Sequence, residues 1–316
     1  MGRFIGILEL LKNASQVGTP GIATPLASLK SIHVLLPPLN EQRAIAHILS
    51  NLDDKIELNH CMNETLEAMT RAIFKSWFVD FDPVRTRAEG REPASMDAET
   101  AALFPDSFEE TEMGMVPKGW KSGTVDDLCV SIENGGTPKR MKSEYWDGGT
   151  IQWFKTGELT DGPLMDSEEA ITEKGLSSSS CKLWKKGTIL IALYASPTVG
   201  RLGILEMSGT ANQACSALMA RSEFGNLFLF YTLLFSREEL QNIAVGAAQQ
   251  NISQQIVRHH NVLIPSPEIA SAFQQKVERY YLTRVNNEKQ SKIIATIRDA
   301  LLSKLLIGEI RTEVQS

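Results

Sequence analysis

The sequence predicts an α+β protein in which a mixed α/β domain is inserted between two long helices. Three observations carry this expectation: an internal repeat, heptad-spaced apolar residues in both copies of it, and a turn-rich stretch between them. A shift of 228 residues aligns Pro37 with Pro265, Gly18 with Gly246, Lys30 with Arg258, Val34 with Val262 and Leu36 with Ile264. Further on it aligns Leu66 with Ile294, Met69 with Ile297, Ala72 with Ala300 and Ile73 with Leu301. In both copies a glycine-containing polar segment leads into a short apolar strand, then prolines, then a long helical pattern.

The helical patterns are heptads, which describe long helices packing along a seam. In the first, Ile45, Leu52, Leu66 and Ile73 share one position and Leu49, Ile56 and Trp77 the other. In the second, Phe273, Tyr280, Ile294 and Leu301 match the first set, and Val277 and Leu305 the second. Ser266-Pro267 is a start signal, because serine caps and proline tolerates the first helical position. Gly308 is a stop signal. Asn59 interrupts the first seam, and the repeat places it on Asn287. A polar residue at a seam costs stability but fixes register and partner choice, and the pair is expected to do so; two unrelated solvent-facing asparagines are the plainer alternative. Helices running from near Leu39 to Phe78 and from near Pro267 to Leu306 put both near their midpoints.

The stretch 81–115 is polar, holds Pro83, Pro93 and Pro105, and lacks any sustained period, so an extended surface linker is expected, pinned by Phe81, Phe104 and Phe108. Turn signals then recur at Gly135-Gly136-Thr137-Pro138, where a hairpin is the plainer alternative for the two glycines, and at Asp147-Gly148-Gly149. Thr188–Leu193 and Ile204–Met207 read as strands, and Asn226–Gln241 as an amphipathic helix. Residues 1–36 correspond to the last part of such a domain, roughly 229–264.

Composition is that of a globular chain, with 42% hydrophobic and 22% charged residues. Its 316 residues leave room for real cores without disulfide or metal staples. Cys61, Cys129, Cys181 and Cys215 are scattered without ligand spacing and read as packing or surface residues of a reducing, cytoplasmic protein. No signal-peptide layout and no uncharged apolar stretch long enough for a bilayer is visible, so no membrane partner is expected. The formal charge of −6 is awkward for a nucleic-acid binder, although basic clusters stand at Lys139, Arg140 and Lys142 and at Lys182, Lys185 and Lys186. Much of the acid lies between Asp80 and Glu112.

Enzyme signatures are missing. There is no GxxxxGK[ST] phosphate loop, no glycine-rich fingerprint for a methyl donor and no Pro-Pro-aromatic signature of adenine methylation. The flanks of His259-His260 read as a turn entering a strand, so no metal site is expected.

The run Leu36-Pro37-Pro38-Leu39-Asn40-Glu41-Gln42 resembles the entry to the conserved helices of type I restriction-modification specificity subunits. Phe78-Val79-Asp80-Phe81-Asp82-Pro83-Val84-Arg85, Gly90-Arg91-Glu92-Pro93 and Ala101-Ala102-Leu103-Phe104-Pro105 look like the segment after that family's first helix. Val116-Pro117-Lys118-Gly119-Trp120, Gly136-Thr137-Pro138 and Tyr145-Trp146 match the start of a recognition domain. The resemblance covers nearly the whole chain. It implies a non-catalytic subunit whose target-recognition domain reads half of a split DNA site, with helices packed as an antiparallel coiled coil that sets the gap. The implied organisation is a remnant of a first recognition domain at 1–36, a helix at 37–80, a linker at 81–115, a complete recognition domain at 116–265, and a second helix and tail at 266–316. The implied partners are double-stranded DNA, modification (adenine methyltransferase) subunits, the restriction (motor and nuclease) subunit and, for so shortened a form, a second copy of the chain. No cofactor is expected in this chain; the methyl donor, ATP and Mg belong to the partner subunits. A second reading makes the chain a protein-binding coiled-coil scaffold or an inactive remnant of a disrupted subunit.

Base reading needs side chains that offer donors and acceptors to base edges, and three turn regions supply them. They are Asn134–Lys142, with Thr137, Lys139, Arg140 and Lys142; Tyr194–Arg201, with Ser196, Thr198 and Arg201, near Asn212 and Gln213 in sequence; and Gln249, Gln250 and Asn251. Asparagine and glutamine pair bidentately with adenine. The plainer readings are that Asn212-Gln213 bonds to backbone in a turn, that Tyr145 and Trp146 pack, and that Lys182, Lys185 and Lys186 form a solvated face.

Overall fold

The computed structural model describes residues 37–93, 96–112, 114–194, 198–245, 251–306 and 309–310. The remnant at 1–36, the first copy of the pre-helix strand and the stop at Gly308 therefore lie outside the described residues. The chain divides into two units, Met1–Thr65 with Thr283–Ser316, and Leu66–Leu282.

Two helices dominate: α1, Leu39–Phe78, and the last element, α8, Pro267–Leu306, each 40 residues long. The repeat shift maps the bounds of one onto those of the other. In the first unit their facing stretches run antiparallel, since Asp53 meets Arg298 (2.7 Å) while Asn63 meets Asn287 (2.9 Å). Asn59 is fully buried, and its Nδ2 donates to Gln290 Oε1 (3.0 Å), Ser291 Oγ (3.1 Å) and the Asn287 carbonyl (3.4 Å). Asn287 Nδ2 in turn donates to Asn63 Oδ1, and Asn63 Nδ2 to the Arg284 carbonyl (3.4 Å). Asn59 thus reaches the Asn287 main chain, while the Asn287 side chain bonds Asn63. The Asn59–Ser291 and Asn63–Asn287 contacts exchange under the repeat, so a local two-fold passes between the helices at this layer.

The segment expected to be an extended linker is folded. It holds α2 (Asp82–Ala88), α3 (Ala98–Leu103) and β1 (Phe108–Thr111), the last paired antiparallel with β2 (Gly114–Pro117). Tertiary contacts build it. Arg87 donates to the carbonyls of Ala101 (2.7 Å) and Phe104 (2.6 Å), and Phe104 is buried edge-on to Trp77. Phe81 opens α2 at φ 57°, a left-handed conformation that costs a non-glycine residue on the order of 1–3 kcal/mol. Its ring, edge-on to Trp120 and Phe108, makes the contacts that offset this cost.

After β3 (Lys121–Thr124) and β4 (Cys129–Asn134) come β5 (Ile151–Phe154), β6 (Gly162–Leu164), β7 (Glu169–Ile171), a one-turn helix α4 (Glu173–Ser177), β8 (Ile189–Ala192), β9 (Leu202–Leu205), β10 (Gly209–Ala211) and β11 (Cys215–Ala220). The main sheet runs β4-β11-β8-β9-β6, a smaller one β10-β5-β7, and β3 pairs with β12 (Asn261–Ile264). β8 and β9 fall on the two expected strands, β9 two residues early. Both are buried at every position, which explains their continuous apolar runs. Phe154, Leu159, Leu190, Leu205 and Cys215 form the core between the sheets.

The helix expected to be amphipathic over Asn226–Gln241 is instead two helices, α5 (Asn226–Phe235) and α6 (Arg237–Val245). α5 is buried from Leu227 to Leu234, so it carries no polar face. A short α7 (Gln254–Arg258) precedes β12. Within Leu66–Leu282, Phe74 of α1 contacts the rings of Phe228, Tyr231 and Phe235 and, edge-on, Phe273 of α8. Cys129, Cys181 and Cys215 are buried free thiols, and burial pushes that of Cys129 up to about 12. No helix among the described residues is long and apolar enough to cross a membrane, and no cluster among them has the make-up of a metal site.

Asn59 Oδ1 is buried without a hydrogen-bond partner among the described residues. Gln290 is exposed and Ser291 half-exposed, so both can rehydrate if Asn59 is lost. Asn59→Leu is therefore expected to stabilise the chain by about 1 kcal/mol, read as a higher midpoint in thermal unfolding. A loss of similar size would show that the polar layer holds the helices together instead of costing stability.

Candidate nucleic-acid interface

Strand register brings the predicted turns to one end of the main sheet. Asn134, at the end of β4, pairs with Ser216 near the start of β11, and Ala192, ending β8, pairs with Cys215. Ile191 pairs with Leu202, so β9 begins at the same end. The turns after β4 and β8 and before β9 and β11 therefore emerge side by side. The third segment joins them: Ile252 N donates to the Leu193 carbonyl (3.0 Å), and Gln254 Nε2 to that of Ile132 (2.9 Å).

The turn after β4 is not a hairpin, the plainer alternative for its glycines. Gly135 N donates to the Cys215 carbonyl and Gly136 N to that of Ala211, both at 2.9 Å. A Cβ on Gly135 would lie 2.1 Å from the Asn212 carbonyl oxygen, and one on Gly136 2.6 Å from Cys181 N. The glycines are there for close backbone approach, and Trp153 Nε1 caps the passage on the Gly136 carbonyl (2.9 Å). Thr137 Oγ1 then donates to Gln213 Oε1, joining two of the predicted residues across the turns.

The basic residues of this turn differ in what they touch. The Arg140 guanidinium lies over the Trp146 ring, 3.8 Å from its centroid, and pairs with Glu169. Lys155 shares that carboxylate (3.1 Å) and also binds Glu168 (2.7 Å). Arg140, with Lys155 behind it, holds the Glu169 carboxyl below its ordinary range. Lys142 donates to the Tyr145 hydroxyl (3.1 Å), which raises the lysine and lowers the phenol. Lys139 is exposed and in no ion pair among the described residues. Tyr145 is buried and Trp146 packs edge-on to Trp153.

The turn after β8 is braced from below by residues the sequence reading passed over. Arg237 Nε and Gln241 Nε2, both on α6, donate to the carbonyls of Gly200 and Val199 at 2.8 Å. Arg237 Nη1 also reaches Asp161 Oδ2 (2.8 Å), whose other oxygen accepts from Leu202 N (2.9 Å). Asp161 sits at φ 62°, a strained backbone position that this pair of contacts stabilises. Above the brace, Thr198 Oγ1 donates to the Tyr194 carbonyl (3.0 Å), Tyr194 is exposed, and Arg201 is half-buried. Ser196, Gln249 and Gln250 lie outside the described residues; Asn251 is half-buried beside Ile252. Asn212 Oδ1 accepts from Ala214 N (3.1 Å) and so shapes its own turn, while Gln213 stays exposed. The second basic cluster is dispersed: Lys182 pairs with Glu133 (3.1 Å) and Lys186 with Glu206 (2.8 Å).

The signal for the brace was present but faint. Arg237 opens a helix directly behind an apolar one, and Asp161-Gly162 marks a turn before a strand; neither announces its partner.

The family profile described as "Type I restriction modification DNA specificity domain" matches residues 4–68 and 117–301. The HindI type I restriction enzyme specificity subunit of Haemophilus influenzae is 29% identical over 90% of this chain and 70% of its own length. The MjaIX specificity subunit of Methanocaldococcus jannaschii is 26% identical over 91% of this chain, which spans 62% of that relative. The crystal structure of a type I restriction-modification S subunit from M. genitalium shares the fold at a TM-score of 0.57 and 16% identity, covering 99% of this chain and 73% of that one. The chain therefore belongs to the type I restriction-modification DNA specificity family and has the role of a DNA-recognition subunit.

Proposed function

We propose that the sheet end carrying Thr137, Lys139, Gln213, Thr198, Arg201 and Asn251 reads the bases of one half of a split target, and that this chain performs no catalysis itself. The observation that supports this best is that the turns after β4 and β8 and the segment at Asn251–Ile252 meet at one edge, with the Thr137–Gln213 contact joining the first of them to the turn before β11. Amides and hydroxyls placed together offer the mixed donors and acceptors that a major-groove edge requires. In this reading the antiparallel helices set the gap between half-sites, with Asn59 and Asn287 fixing their register. Modification subunits carry out adenine methylation and a restriction subunit supplies translocation and cleavage, with methyl donor, ATP and Mg bound there. A second copy of the chain would supply the other half-site, giving a symmetric target.

Sequencing of methylated bases in cells that carry this chain with its modification partner tests the reading. A gapped motif is expected. Replacing Ser196, Thr198 and Arg201 together with alanine is expected to abolish methylation of that motif while the complex still assembles. Unchanged methylation would remove the turn from the reading surface.

The brace gives a second test. Arg237→Ala removes three contacts to the turn and to Asp161 without touching any proposed base contact. It is expected to lower site-specific methylation on the order of tenfold, one hydrogen-bonded charge's worth of loop positioning, with little change in DNA-independent assembly. Full activity in this variant would show that the turn needs no support from α6.

Charge predicts the third. With a formal charge of −6 and Arg140 and Lys155 both paired with Glu169, the sheet end offers phosphates less positive charge than its sequence suggests. Gel shifts are expected to show weak, salt-sensitive binding by the chain alone and tight specific binding with the modification subunit. Tight specific binding by the isolated chain at physiological salt would contradict this.

A further inference from the structure

The segment that follows Thr137 at the sheet end presents one side chain that packing within the chain does not explain. Met141 is 97% exposed, more than any other large apolar residue among the described residues. Single apolar residues on a surface are ordinary, but this one is held in place. Lys142 N donates to the Lys139 carbonyl (3.1 Å), closing a tight turn with Arg140 and Met141 at its two central positions. Trp146 Nε1 donates to the same carbonyl (3.4 Å).

Both chain neighbours of Met141 are anchored through their side chains. The Arg140 guanidinium lies over the rings of Trp146 and Trp153, 3.8 and 4.7 Å from their centroids, and pairs with Glu169. Lys142 Nζ donates to the hydroxyl of Tyr145, itself a buried residue (3.1 Å). With the turn fixed on either side, the methionine is offered outward. Central turn positions ordinarily take glycine, asparagine, aspartate or serine. An unbranched thioether there keeps its apolar surface in water and gains no burial from the fold. Lys139, exposed and in no ion pair among the described residues, opens the same turn, so a cation and an apolar tip stand together.

We propose that Met141 is a specificity-determining residue that packs against the 5-methyl group of a thymine in the major groove, with Lys139 on a flanking phosphate. The inference rests on the sheet end being the base-reading surface and adds one residue to it. Thymine alone presents a methyl group among the base edges of that groove. An apolar tip beside amides and hydroxyls therefore selects an A·T pair by burial, where its neighbours select by hydrogen bonds. A site of adenine methylation holds at least one such pair.

Equilibrium binding of the full chain with its modification subunit tests this, on duplexes that carry the methylated motif with each thymine in turn replaced by deoxyuridine. The replacement removes the methyl group and nothing else. At one position it is expected to weaken binding by the native complex about fourfold, the size of one buried methyl group. Met141→Ala is expected to erase that difference, binding thymine and uracil duplexes alike and both about as weakly as the native complex binds uracil. Met141→Leu is expected to keep most of it. The side chain is exposed, so neither variant threatens the fold. A native complex indifferent to every replacement, or a uracil penalty undiminished in Met141→Ala, would overturn the assignment. So would a Met141→Ala loss that appears where no thymine matters, which marks a wedge or a support for the backbone. The two readings fail separately. If the Ser196, Thr198 and Arg201 alanine variant loses the motif while the native complex ignores uracil, the reading surface stands and the Met141 contact alone is lost.

Discussion

Phe74 is the point on which the larger unit turns. Its ring touches three rings of the α5 segment and Phe273 of α8, and Phe78 one turn on repeats the pattern against Phe228, Phe273 and Trp120. Each such aromatic buries roughly 150–250 Å2, and truncating a buried phenylalanine costs about 3–5 kcal/mol. The cluster joins segments far apart in sequence: α1, the 81–115 stretch through Phe104 and Trp77, α5, and α8. Without it the face of α5 turned to these rings would be left uncovered, since β9 and β11 pack against it elsewhere. The polar turns depend on this indirectly, since α6, which follows α5 after Ser236, carries the Arg237 and Gln241 that hold the turn after β8.

The sheet end shows a division between residues that shape the surface and residues that face outward from it. Gly135, Gly136, Asn212, Asp161 and Arg237 are committed to backbone and to each other. Their geometry leaves Lys139, Gln213 and Arg201 toward solvent or half-buried. A reading surface needs both classes, because a side chain that discriminates bases must be held to within a fraction of an ångström by neighbours that do not move. Arg140 belongs to the first class. Stacked over Trp146 and paired with Glu169, it is planar, rigid and already hydrogen-bonded.

How much of this was legible in the sequence depends on whether local pattern or tertiary contact decides the element. The two long helices were legible because heptads and a 228-residue repeat are properties of the chain itself, and the bounds of α1 and α8 obey that repeat to the residue. The polar layer was half legible. Counting one seam position finds Asn59 and Asn287, whereas Asn63 and Ser291 stand at the other seam position, where only apolar residues were counted. α2, α3 and β1 were missed because their stability lies in Arg87, Phe81 and Phe104, not in periodicity. The break inside Asn226–Gln241 was hidden by a continuous helical composition, although the shift from an all-apolar to a charged half was visible there. The convergence of the turns could not be read at all, because register is set between strands.

In the register role proposed for it, the asparagine layer accounts for a repeat that is both symmetric and specific. Apolar heptads alone allow two helices to slide by a turn at little cost, since one leucine-sized knob fits the next hole nearly as well. A layer in which Asn59 meets Ser291 and Asn63 meets Asn287 has no equivalent one turn away. Slippage would bury those amides against apolar neighbours, at about 1–3 kcal/mol for each group left unsatisfied. The orphaned Asn59 Oδ1 is the residual cost of the arrangement. Because the contacts exchange under the repeat, one short polar layer constrains both helices at once. It lies at the midpoint of each, where a fixed register resists sliding in either direction.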